Sequence, residues 1–235
     1  MKRFVVFALA VLMMLGCMVA CGETDIHKKS EGTMTYAEYM AAELKSEVVI
    51  EGFVQATQGW WEDNGVGVIT VYLQDKDGAY FVYNMKCSED DSKKLTPGTK
   101  IKVTGYKAEW AGEVEIDAQA TFEILEGNWV AEAKDLTAEL GKDTLINYQN
   151  QKALFKGMTV ASWSYKGDAA GDDIYLTLKK DDAEYSFCVE SYLTDKNSDV
   201  YKAVEALKEG DVIDVECFMY WYEGANPHIT AVTKK

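Results

Sequence analysis

Aromatic side chains gathered in polar, turn-rich stretches are the residues of this chain whose type and spacing point to chemistry. Trp60 and Trp61 sit in Gln58-Gly-Trp-Trp-Glu-Asp-Asn-Gly65, and Trp110 lies near Tyr106. Further on, Trp163 precedes Tyr165, and Tyr220-Trp221-Tyr222 stands just before His228. The chemistry is stacking: a flat ring covers the apolar face of a sugar or of a base, and Glu62, Asp63 and Asn64 nearby offer acceptors for hydroxyls. Tyr165 apart, each of these Trp and Tyr residues is a candidate ligand contact. The competing reading is packing, because large rings also close the ends of small cores, and adjacent Trp60 and Trp61 are expected to point opposite ways, one of them inward.

Other chemistries find little footing. Nucleophilic catalysis pairs Ser or Cys with a base, usually His. The body of the chain holds His228 alone, with neither a G-x-S-x-G elbow nor a P-loop, so a non-catalytic protein without cofactor is expected. An acid-pair hydrolase needs two carboxylates about 5–9.5 Å apart in a cleft. With 39 acidic residues some such pair is always on offer, so acid content says nothing. Cys87, Cys188 and Cys217 are odd in number, which closes no disulfide framework, and with His228 they are too scattered for zinc. Buried thiols and no metal are expected. Asp75-Lys-Asp77-Gly78 and Asp168-Ala-Ala-Gly-Asp172-Asp173 lack a full calcium loop and read as turns. A formal net charge of −15 disfavours nucleic acid, whose backbone is bound through Lys and Arg.

The chain opens Met1-Lys2-Arg3 and runs apolar from Phe4 to Leu15, a charged n-region followed by an h-region of signal-peptide length. Met14-Leu-Gly-Cys17 and Met18-Val-Ala-Cys21 then resemble the lipobox of bacterial lipoproteins. Residues 1–20 are read as the signal peptide, with lipid on Cys21 and Cys17 as the alternative. Residues 21–34 are polar and aperiodic, read as a flexible tether in which His27 has no further role. An exported protein held at the outer face of the cell membrane is expected. Gly22 lacks the Asp of an inner-membrane retention signal, so the outer membrane is the default in a two-membrane host.

The elements that must position the rings are written twice. Glu47-Val-Val-Ile-Glu-Gly52 leads to Val71-Tyr-Leu-Gln-Asp and Ala79-Tyr-Phe-Val-Tyr; Lys152-Ala-Leu-Phe-Lys-Gly157 leads to Ile174-Tyr-Leu-Thr-Leu and Glu184-Tyr-Ser-Phe-Cys-Val. Leu95-Thr-Pro-Gly98-Thr-Lys-Ile-Lys-Val then aligns with Leu207-Lys-Glu-Gly210-Asp-Val-Ile-Asp-Val, and Gly112 with Gly224. Period-two alternation marks strands, and Asp77-Gly78 marks a hairpin. Helical spacing appears at 88–95 and 199–207, and Thr35 with Glu38 forms a capping box before Tyr36.

Three strands, a helix and two strands is the order of the OB-fold, and each copy resembles that five-stranded Greek-key barrel with its helix between strands three and four. The whole chain is similar to bacterial lipoproteins with tandem OB-fold domains. The resemblance implies an all-β protein with short helices: a first barrel at 35–127, a helical linker at 128–151 and a second barrel at 152–235. OB-folds bind ligands on a face framed by the loops after strands one and four, where the rings fall. The expected function is a binding module for an oligosaccharide-like or other envelope polymer. The alternatives are an envelope scaffold that binds another protein and an oligonucleotide-binding module.

Overall fold

The computed structural model describes residues 25–235. Cys17, Cys21 and the signal peptide lie outside the described residues. Among those described, no helix is long and apolar enough to cross a membrane.

Both copies close into OB barrels. In the first, β1 (Glu47–Thr57), β3 (Val66–Gln74), β4 (Ala79–Lys86), β6 (Glu113–Ile116) and β5 (Thr99–Trp110) neighbour one another in that order, and β5 returns to β1. The short β2 (Trp61–Asp63) pairs with β3, and β7 (Thr121–Asn128) continues the fifth strand along β5. In the second, β9 (Lys152–Tyr165), β10 (Ile174–Lys180), β11 (Ala183–Val189), β13 (His228–Lys234) and β12 (Val212–Phe218) close the same circuit. In each barrel the third and fifth strands pair in parallel: Phe81 with Glu115 and Cys188 with His228. The alternation read from sequence is the barrel interior, with Ile101 and Val103 fully buried in one core and Ile213 and Val215 in the other. Gly98 and Gly210 hold matching left-handed turns ahead of the fourth strand, at φ 96° and 86°, a conformation open to Gly at low cost.

The helices between third and fourth strands differ. α3 (Asp199–Glu205) sinks Tyr201 and Val204 into the second core, whereas α2 (Glu89–Ser92) buries nothing and leaves Leu95 to fill the end of the first. α1 (Tyr36–Ala41) forms on its Thr35–Glu38 capping box and inserts Tyr39 instead. Its Tyr36 ring lies on the Asp75–Gly78 hairpin so closely that a Cβ on Gly78 would collide with the ring.

One sequence expectation is corrected. Residues 25–34 are docked, not a free tether. Lys29 pairs with buried Asp75 at 2.6 Å, Ser30 and Thr33 bond to Glu51, and Met34 N–H donates to Val49. His27, given no role, packs edge-on between Phe53 and Trp129. Polarity there signalled ion pairing with barrel side chains rather than solvation. The helical stretches of the linker form as 3-10 helices, Thr137–Glu139 and Asp143–Tyr148, beside the two-residue β8 (Lys134–Asp135), and Leu136 and Leu145 are buried against the second core.

The barrels meet across a packed seam. Tyr72 stacks on Phe218 at 4.7 Å and hydrogen-bonds His228 Nδ1 at 2.7 Å, and Phe81 meets Tyr220 edge-on. Backbone groups also cross: Lys152 N–H donates to Gln74, and Glu223 N–H donates to Ala111.

Candidate site in an aromatic cleft

After β1 the chain stays on the first barrel because Gln58 N–H donates to the Thr70 carbonyl. Trp60 then turns inward and its Nε1 donates to the Cys87 carbonyl at 2.9 Å. That seat exists because residue 67 is Gly, whose Cβ would collide with both the Trp60 ring and the Cys87 carbonyl. Trp61, the next residue on a strand, points the other way and remains 47% exposed. On β4 the pairing with β3 slips at Asn84, which takes φ 42°. Thr70 Oγ1 braces this bulge by accepting from Asn84 N–H and donating to its Oδ1. The bulge leaves Tyr83 facing outward at 42% exposure beside Trp61.

The second barrel supplies the remaining wall. The turn after β11 carries Tyr192, 76% exposed, whose carbonyl accepts from Gly59 N–H. Glu190 holds this turn by accepting from the N–H groups of Tyr192 and Leu193 and from Gln58 Nε2. Burial raises its carboxyl above the ordinary range. Gln58, Trp60, Trp61, Tyr83, Asn84 and Tyr192 together line a cleft of about 470 Å³. A larger depression of about 740 Å³ lies beside Lys86, Asp91 and Phe122, and none of the candidate rings lines it.

The structure sorts the candidate rings. Trp61 lines the cleft and is open to ligand. Tyr106 and Trp110, on one face of β5, and Tyr222 are exposed outside it. Trp60 borders the cleft but is fixed as packing by its bond to Cys87. Trp163 packs on the second core and donates to the Leu207 carbonyl. Tyr220 is spent on the seam, stacked on His228 at 4.3 Å. Trp221 packs on the second core and against Gly112, with its N–H on buried Glu113. Sequence reading missed Tyr83, Asn84 and Tyr192. Tyr83 lies within the aromatic-rich β4, and its outward turn comes from a bulge with no local signal. Nothing near Tyr192 sets it apart.

The seam beside the cleft carries shifted acids. Glu113 accepts from Asn150 Nδ2 and Trp221 N–H, and burial lifts its carboxyl well above the usual range. Burial, with Asp117 second, pushes Glu115 up to about 7. His228 is driven down to about 3 by burial and is neutral. The folded protein thus keeps a proton on Glu115 that the unfolded chain gives up near 4.5. Its contribution is most favourable below that pH and is lost as pH rises through about 7. Glu115→Gln is expected to raise the melting temperature at pH 8 and leave it unchanged at pH 4, read by thermal melts at both. Equal effects at the two pH values would remove Glu115 from the titration.

Among the described residues no group of His, Cys, Asp and Glu has the geometry of a metal site. Cys87, Cys188 and Cys217 are free and buried, and burial raises all three thiols.

No protein-family model matches the chain, and no curated protein matches it. Among solved structures it is similar to the p204 HINb domain, at 8% identity over 83% of this chain and 100% of that one, TM-score 0.37. It is also similar to a murine DNA binding protein bound with double-stranded DNA, at 13% identity over 80% and 96%, TM-score 0.37. A third is the Replication Protein A heterotrimer bound to single-stranded DNA, at 12% identity over 80% and 49%, TM-score 0.34. Similarity at this level assigns neither family nor ligand.

Proposed function

We propose that this chain is a lipid-anchored, extracytoplasmic, non-catalytic binding module whose cleft holds an oligosaccharide-like ligand of the cell envelope. The anchor is Cys21, with Cys17 as the alternative, on the lipobox-like sequence. The observation that carries the ligand reading is the convergence of three exposed rings, Trp61, Tyr83 and Tyr192, on a cleft whose lining has no charged side chain. Sugar rings present apolar faces to such surfaces and hydroxyls to amides such as Gln58 and Asn84.

The test is intrinsic tryptophan fluorescence of the full-length protein titrated with soluble glycans, with oligonucleotides beside them because two of the similar structures are bound to DNA. Trp61→Ala is expected to weaken glycan binding about tenfold or more, as for a ring at the centre of a contact. Its melting temperature should hold, since Trp61 adds nothing to the core. Parallel loss of binding and of melting temperature would reduce Trp61 to a packing residue.

A second reading, the envelope scaffold, is favoured by Tyr106, Trp110 and Tyr222, which are exposed away from the cleft. Exposed aromatics are enriched where proteins meet. Saturable capture of an envelope protein, abolished by Trp110→Ala and untouched by Trp61→Ala, would favour it.

A further inference from the structure

We infer that the cleft is a joint site of both barrels that selects an uncharged ring ligand bearing hydroxyls, against nucleic acids and acidic sugars. This deepens the binding reading above and rests on it.

The polarity of the cleft is set by bonds made outside it. Gln58 directs one of its two amide N–H groups to Glu190 of the second barrel at 3.1 Å, and its Oε1 can accept from a ligand. Asn84 takes the Thr70 hydroxyl on Oδ1, which leaves Nδ2 to donate, and its side chain is buried at the edge of the cleft. The two amides therefore offer both acceptor and donor groups among three rings. A hydroxyl satisfies either. A phosphodiester or a uronate carboxylate brings acceptors only, meets no Lys or Arg in the lining, and approaches the Glu190 carboxyl behind Gln58. A desolvated anion without a cation partner is rejected more strongly than any stacking gain repays.

The second barrel takes part directly. Tyr192 supplies the most exposed of the three rings, and its carbonyl together with Glu190 fixes the Gln58–Gly59 loop of the first barrel. Barrel one without barrel two would have neither this wall nor the amide orientation.

The experiment titrates full-length protein with cellohexaose, laminarihexaose and chitohexaose, and in parallel with hexagalacturonate and a thymidine 12-mer. It uses the wild type, Tyr192→Ala, Tyr192→Phe and Trp61→Ala. At least one neutral hexasaccharide is expected to bind, with both anions about tenfold weaker or more. Tyr192→Ala is expected to lower that affinity about tenfold with an unchanged melting temperature, and Tyr192→Phe to restore it. Anions binding as tightly as the neutral sugars, or Tyr192→Ala binding like the wild type, would overturn the inference. If Trp61→Ala still abolished binding in that case, the cleft itself would stand. Failure of every neutral sugar to bind would overturn both.

Discussion

Phe218→Ala is expected to cost about 3–5 kcal/mol and to split one unfolding transition into two. Phe218 ends β12 almost fully buried, yet it packs on the other barrel: it stacks on Tyr72 at 4.7 Å with rings 23° from parallel. Truncation leaves a ring-sized void between Tyr72, Phe81 and Tyr220, three large side chains too constrained to collapse into it. Interfaces between domains of one chain are ordinarily loose. Here a stacked aromatic and the Tyr72–His228 bond couple the barrels, so the wild type should melt as one unit in scanning calorimetry. Phe187→Ala is the control: that ring lies edge-on to Phe155 at 5.3 Å within the second core, and its loss should lower stability without dividing the transition. Because the cleft spans both barrels, Phe218→Ala should weaken ligand binding as well. A single transition in Phe218→Ala would mean that other contacts couple the barrels.

Asp75→Ala is expected to cost about 3–5 kcal/mol, the scale for stranding one member of a buried ion pair. Asp75 is 5% exposed, and its Oδ2 lies 2.6 Å from Lys29 Nζ and accepts from the Tyr80 hydroxyl. Its Oδ1 accepts from the N–H groups of Asp77 and Gly78, so the same carboxylate shapes the hairpin on which Tyr36 rests. Lys29→Ala removes only the half contributed by the docked strap, residues 25–34, and should cost less. The double variant should then be more stable than the summed single losses, since no half-buried ammonium remains unpaired. Denaturant unfolding of the three variants measures the coupling. Strict additivity would mean that Lys29 and Asp75 act independently and that the strap is held by Ser30 and Thr33 on Glu51 instead.

The strands were legible because a barrel wall alternates between a packed and a covered face, and that alternation is written in residue type. Ile101 with Val103 and Ile213 with Val215 marked the fourth strand of each copy, and Gly98 and Gly210 marked the turn before it. The Thr35–Glu38 capping box and the Asp75–Gly78 hairpin were legible for the same reason: both are short-range hydrogen-bond patterns fixed by a few neighbouring residues. The strap was misread because Lys29, Ser30 and Thr33 are polar, and nothing local says whether a polar residue meets water or a buried carboxylate such as Asp75 or Glu51.

The site divides along the same line. Period-two geometry alone required Trp60 and Trp61 to part, one inward and one outward, and Gly67 is what leaves room for the inward ring. Which of the other rings face solvent depended on where the second barrel docks. Docking covers Tyr220 with Phe81 of the first barrel, and it brings Tyr192 against a loop more than a hundred residues earlier. Sequence by itself determined the barrels, since their signal is local and repeated. Only the tertiary structure decided the cleft, because its members come from a bulge at Asn84 and a seam between two domains, and neither leaves a pattern along the chain.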